Sequence, residues 1–207
     1  ANVSRSVFFW FTKARGTQAP SMVTKSHYQA INLYSANFAF LADFSLAMLG
    51  GALKRMESLS ARLGDVLSKL YLLSAVLKRY ESDGEPAVDK PIVDWAGQQL
   101  LFEVEQSFHG IIKNFPVKWA RVFLKLLFLP FGPQRTAPSD ALGKKVASLL
   151  TNTCPTRDRL TRFVYKEPIA NCPVGRMEQA FIKIIKAADI EKKLIKAVRA
   201  GKVDGLT

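Results

Sequence analysis

Three cations stand at steps of three and four along an apolar stretch: Lys118, Arg121 and Lys125, set among Val117, Trp119, Ala120, Val122, Phe123, Leu124, Phe128 and further leucines. On a helix of 3.6 residues per turn they share one narrow face. Such a stripe attracts phosphates, while neighbouring rings and leucines enter the headgroup boundary of a lipid surface. Lys118, Trp119, Arg121, Phe123, Lys125 and Phe128 are therefore the candidate membrane contact, and no acid interrupts the chain between Glu105 and Asp140. Spanning is excluded, because twelve or thirteen residues rise only about 20 Å against a hydrocarbon core of ~30 Å. A core helix that snorkels three cations to water produces the same pattern, and the sequence leaves both readings open.

The other ionisable groups offer less. His27 and His109 are far apart, without a second ligand or a nucleophile at metal or triad spacing, and read as surface or capped histidines. Cys154 and Cys172 lack a C-x-x-C companion, so no metal site and no disulfide framework is expected, and a reducing compartment fits. Asp43 is the only charge between Tyr34 and Leu53; buried there it needs a partner, and Asp43, Arg62 and Asp65 are expected to form a structural polar cluster. No G-x-G-x-x-G, P-loop or G-x-S-x-G occurs.

Thirty Lys and Arg against 17 Asp and Glu give a net charge of +13, which calls for an anionic partner or for an acidic neighbour missing from the chain. A second basic region holds Arg176, Lys183, Lys186, Lys192, Lys193, Lys196, Arg199 and Lys202. It lacks interleaved aromatics and any helix-turn-helix signal, so it reads as a solvated helix face, and nucleic acid is not expected as a partner.

The elements that must position these groups are helical throughout. Residues 26–53 predict one long apolar helix, irregular at Gly50-Gly51 and nearly long enough to span a bilayer. Asp43, Asn37, Ser35 and Ser45 favour a buried core helix instead. Residues 57–81 predict a second helix whose stripe is Leu59, Leu63, Val66, Leu67, Leu70, Leu73 and Leu77; with Tyr71, Leu72, Ala75 and Val76 it is apolar all round at its end, as a central bundle helix would be. A third begins at Pro91 and buries Leu101, Val104, Phe108, Ile111, Ile112 and Phe115, with Gln98, Glu103, Glu105 and Gln106 facing out. A fourth covers 117–129 and stops at Pro130-Phe131-Gly132-Pro133, and Ser139-Asp140 caps a fifth to Leu150. Thr156 to Val164, Val174 to Ala187 and Asp189 to Ala200 predict three more, the last two on either side of Ala188. The fold class is all-α, a bundle built on 26–53 and 57–81; the domains are a lead-in at 1–25, a core bundle at 26–150 and a basic extension at 151–207.

Several runs carry a family resemblance: Ser35-Ala36-Asn37, Leu49-Gly50-Gly51-Ala52-Leu53-Lys54-Arg55, Ser60-Ala61-Arg62-Leu63-Gly64-Asp65-Val66-Leu67-Ser68-Lys69-Leu70-Tyr71-Leu72 and Leu77-Lys78-Arg79-Tyr80. Asn114-Phe115-Pro116, Ala137-Pro138-Ser139-Asp140, Lys145-Val146-Ala147, Thr156-Arg157-Asp158-Arg159 and Pro173-Val174-Gly175 follow in order. From about residue 25 to 195 the chain resembles the C-terminal region of bacterial FadE-type acyl-CoA dehydrogenases. The resemblance implies a piece of a larger FAD-dependent enzyme of fatty-acid β-oxidation that converts an acyl-CoA to the trans-2-enoyl-CoA, an expectation consistent with a start at Ala1 rather than Met. It places the catalytic Glu, in a Tyr-Glu-Gly-like context, and the FAD- and acyl-CoA-binding parts upstream of residue 1. No Glu-Gly dipeptide occurs here, so no catalytic residue is carried over, and no cofactor is expected in this segment itself. The resemblance further implies a homodimer and a peripheral place on the cytoplasmic face of the inner membrane, or otherwise the bacterial cytoplasm. A free-standing basic helical binding protein for a membrane surface or nucleic acid is the alternative.

Overall fold

The computed structural model describes residues 4, 8–9, 12, 14–129, 132–165 and 172–202. Trp10, Phe11 and Lys13 of the lead-in, Pro130-Phe131 of the expected helix stop, and most of the loop from Pro168 to Pro173 lie outside these. Seven α-helices and no strand occur among the described residues: α1 (Lys25–Leu49), α2 (Glu57–Ser82), α3 (Lys90–Asn114), α4 (Lys118–Phe128), α5 (Asp140–Leu150), α6 (Pro155–Thr161) and α7 (Pro173–Arg199). Short 3-10 turns, Gly50–Arg55 and Ala87–Asp89, precede α2 and α3. The chain is an all-α bundle, as its periodicity predicts. It divides into two compact units, residues 1–143 and 144–207.

In the first unit, α2 and α3 pack along their lengths, and α1 and α4 close over them. The predicted stripes are the ones buried: Leu59, Leu63, Val66, Leu70, Leu73 and Leu77 of α2 meet Leu101, Val104, Phe108, Ile111 and Ile112 of α3. α3 starts with Pro91 in its first turn, where the missing N–H costs nothing. α1 ends where Gly50 takes φ 49°, a left-handed value that a residue with a Cβ adopts only under strain. The lead-in is tied to α1 through Asn32, whose Nδ2 donates to Thr17 Oγ1 at 3.0 Å, and Thr17 Oγ1 donates to the Ala14 carbonyl at 2.6 Å.

Several expectations need correction. α2 is not central: Leu67, Tyr71 and Leu72 are 56%, 73% and 52% exposed, because an apolar side chain shows only that burial is favourable and not that a neighbour exists on that side. α1 is half-buried rather than a core helix. It docks through Ala30, Ile31, Tyr34, Ala36, Asn37, Phe40, Leu41 and Ser45, while Leu46 is 61% exposed. By length and composition alone Lys25–Arg55 is apolar enough to cross a membrane, and only 28% of its most apolar window is buried. Asp43 sits on the exposed side of α1, so it needs no buried partner.

In the second unit, α7 is one continuous helix where two were expected. Ala187-Ala188-Asp189 contains no residue that breaks a helix, so nothing stops it. Arg157 of α6 grips Glu178 of α7 through two bonds of 2.7 and 2.6 Å and lies 4.1 Å from the centre of the Phe181 ring. Both cysteines occupy N-cap positions followed by proline. Cys172 Sγ accepts from the Gly175 N–H at 3.3 Å, and the Cys154 thiol donates to the Leu149 carbonyl at 3.1 Å. Lys192 pairs with Asp189 on a face where both are well exposed, as a solvated basic helix would have it.

Candidate functional site

α4 starts after Pro116 and Val117, whose extended backbone launches the helix, and ends when Leu129 bonds back to the Lys125 carbonyl. One side anchors it. Ala120 and Leu124 are fully buried and Phe128 is 8% exposed, its ring 5.6 Å from Phe40 and 5.9 Å from Phe108. Phe128 is thus a core residue and not a surface contact; it follows Ala120 and Leu124 at four-residue steps, which puts it on the docking face. The other side is open and divided in two. Lys118, Arg121 and Lys125 form one exposed stripe; Trp119, Val122, Phe123 and Leu126, exposed at 58%, 61%, 41% and 67%, form another beside it. Among the described residues only the side of α4 that carries Ala120, Leu124 and Phe128 is covered.

Two contacts hold this face. Phe44 of α1 packs against Trp119 (6.1 Å, edge-on) and Phe123 (5.8 Å), orienting both rings from below. Arg121 Nε donates to the Phe115 carbonyl at 2.6 Å and so caps the C-terminal end of α3, where a cation is favourable. Lys118 has no such excuse: it opens α4 with no acid in the first turn, against the helix dipole, at a cost of about 0.3–1 kcal/mol. A charge placed where the helix disfavours it points to a role outside the helix.

The structural cluster expected at Asp43, Arg62 and Asp65 is not a buried one. Asp43 and Asp65 are exposed, Asp65 lies 3.8 Å from Lys69, and Arg62 donates to the Ser58 carbonyl while its stem covers Gly110. The buried carboxylate is Glu105 instead, which the sequence had facing out. It accepts from Tyr34 Oη at 3.1 Å and from the backbone N–H groups of Gln134 and Arg135 at 2.8 and 2.6 Å. Burial pushes the Tyr34 phenol up to about 12; the Arg135 guanidinium near its ring opposes this and the Glu105 carboxylate reinforces it. This knot fixes α1, α3 and the irregular segment after α4 to one another. A lone Glu in a helix gives no signal of it.

His27 is neither surface nor capped. It lies in a polar recess of about 440 Å³ with Asp94, Gln98 and Arg135, on the Cβ-free surface of Gly97, and its Nδ1 is buried without a hydrogen-bond partner. Burial lowers its pKa, opposed by Asp94 and helped by Lys90 and Arg135. His109 is exposed, as expected. Among the described residues no three His, Cys, Asp or Glu side chains are grouped to hold a metal ion.

What the geometry defines is an all-helical module whose most specialised surface is a cation-edged apolar helix. The chain belongs to the bacterial-type acyl-CoA dehydrogenase C-terminal family, whose model matches residues 1–207. No solved structure matches it.

Proposed function

We propose that this domain docks an FAD-dependent acyl-CoA dehydrogenase of fatty-acid β-oxidation onto an anionic membrane surface, peripherally and on the cytoplasmic face of the inner membrane. The whole enzyme would oxidise an acyl-CoA to its trans-2-enoyl-CoA. The observation that carries the docking reading is the open face of α4, where three cations run beside four exposed apolar side chains on a helix pinned by Ala120, Leu124 and Phe128. Phosphates would meet the stripe while Trp119 and Leu126 enter the headgroup boundary. The recess at His27 is lined by Ser26, Asp94, Gln98, Leu101, Gln134, Arg135 and Thr136, and among the described residues no glycine-rich turn is present to cradle a flavin's pyrophosphate. In this reading flavin and substrate belong to the remainder of the enzyme. The outer face of α2, where Leu67, Tyr71 and Leu72 lie among small residues, suits a protein neighbour, either that remainder or the second subunit of a homodimer.

Co-sedimentation with neutral and anionic vesicles across a salt series tests the docking. Binding should need anionic lipid and weaken with salt. Lys118→Glu together with Lys125→Glu, which leaves the Arg121 cap intact, should weaken it by at least about 30-fold at ~1 kcal/mol per cation lost. Adding Arg121→Glu should weaken it further. Binding unchanged by these reversals, or indifferent to lipid charge, overturns the reading.

A further inference from the structure

We infer that the cavity between the end of α3 and α4 is a headgroup pocket for one anionic phospholipid, whose phosphate sits among Lys113, Arg121 and Lys125 and whose acyl chains follow the apolar strip of α4. The inference rests on the docking reading and gives it a specific ligand. The cavity encloses about 330 Å³; His109, Ile112 and Lys113 form its α3 wall, and Arg121 and Lys125 form its α4 wall. Gly132 helps close the floor at φ 77°, a backbone conformation that a larger residue would strain.

Its charge is one-sided. No carboxylate lines it, and among the described residues neither Lys113, Arg121 nor Lys125 forms an ion pair. Glu105, the one acid in this part of α3's last turns, is committed to Tyr34 and the backbone of Gln134 and Arg135. Three cations gathered at one concavity repel one another, and an entering phosphate relieves that repulsion. Arg121 is prepared for this: its Nε is held by the Phe115 carbonyl, while its two terminal nitrogens have no hydrogen bond among the described residues and present the planar fork that matches a phosphate.

The neighbourhood selects a lipid over a free phosphate. Val122 lines the cavity and also belongs to the exposed strip with Trp119, Phe123 and Leu126, so pocket and apolar surface are continuous. A soluble phosphate would use the cations and leave the strip in water. A phospholipid uses both.

The test is co-sedimentation of the protein with phosphatidylcholine vesicles containing either phosphatidate or phosphatidylglycerol, matched in surface charge. A phosphomonoester offers three cations more charge and more acceptor oxygens than a diester, so phosphatidate should bind about tenfold more tightly. Lys113→Gln, on the α3 wall, should abolish that preference by weakening phosphatidate binding about tenfold more than phosphatidylglycerol binding, with its helical circular dichroism retained. Equal binding to both lipids, or a preference untouched by Lys113→Gln, overturns the pocket and leaves general docking standing. No binding to either vesicle overturns both. Displacement from phosphatidate vesicles by inorganic phosphate or coenzyme A as effective as by a short-chain soluble phosphatidate overturns the choice of a lipid.

Discussion

The outer faces of α2 and α4 are about equally apolar and differ in what accompanies the apolar groups. On α2, Leu67, Tyr71 and Leu72 share their face with the small residues Ala61, Gly64, Ser68 and Ala75 and with one charge of each sign, Asp65 and Lys78. On α4, Trp119, Val122, Phe123 and Leu126 lie beside Lys118, Arg121 and Lys125. A face with small residues and balanced charge allows another polypeptide to approach closely; a cation-edged face with a tryptophan does better against phosphates and acyl chains. Exposure alone therefore does not identify a partner. The polar company of the exposed groups does.

The comparison can be broken at its base first. Leu124→Ala, on the covered side of α4, should cost about 2–5 kcal/mol in urea unfolding, whereas Leu126→Ala, 67% exposed, should stay within about 0.5 kcal/mol. Similar losses from both would mean that α4 is covered on both sides. Next, Glu105→Gln should lower stability by about 1.5–3 kcal/mol, because three donors lose a charged acceptor inside the bundle; calorimetry reads it. Tyr71→Glu should leave vesicle binding within about threefold while weakening self-association in sedimentation velocity. If it removed vesicle binding as the Lys118 and Lys125 reversals do, the two faces would not be different in kind.

The smallest effect concerns pH. The folded protein disfavours protonated His27, so the unfolded chain takes up the proton first as pH falls through the model-peptide value of 6.5. Stability should drop below that pH, and the drop should shrink in His27→Gln. Asp94, Lys90 and Arg135 surround the ring, with Asp94 working against the shift. A melting temperature equally flat across this range for both proteins would remove His27 from the account.

How much of this was legible is best seen in pairs of residues. The stripes of α2 and α3 were readable because a 3.6-residue period in Leu, Val and Phe has few other uses, and Leu59 to Leu77 are buried where the period puts them. Leu67 was not, since it fits the stripe at its edge and only tertiary neighbours decide such a position. Asp43 and Glu105 exchanged roles. Asp43 lies in an apolar sequence but on an uncovered face, while Glu105 lies in a polar sequence but opposite Tyr34 and the chain returning from α4. Neighbours along the chain do not report neighbours in space. The cations of α4 were found by spacing; the cavity they share with Lys113 and His109 was not, because it is built from two helices whose approach the sequence does not state.

The Glu105 knot has a consequence for isotope exchange. Gln134 and Arg135 are exposed and lie outside any helix, where amide protons ordinarily trade with solvent quickly. Their two N–H groups nevertheless end on a carboxylate that is only 4% accessible. Deuterium should enter the stretch from 134 to 139 rapidly except at these two amides, which should open only when the segment leaves Glu105 of α3, so that two loop protons report the opening of a buried knot.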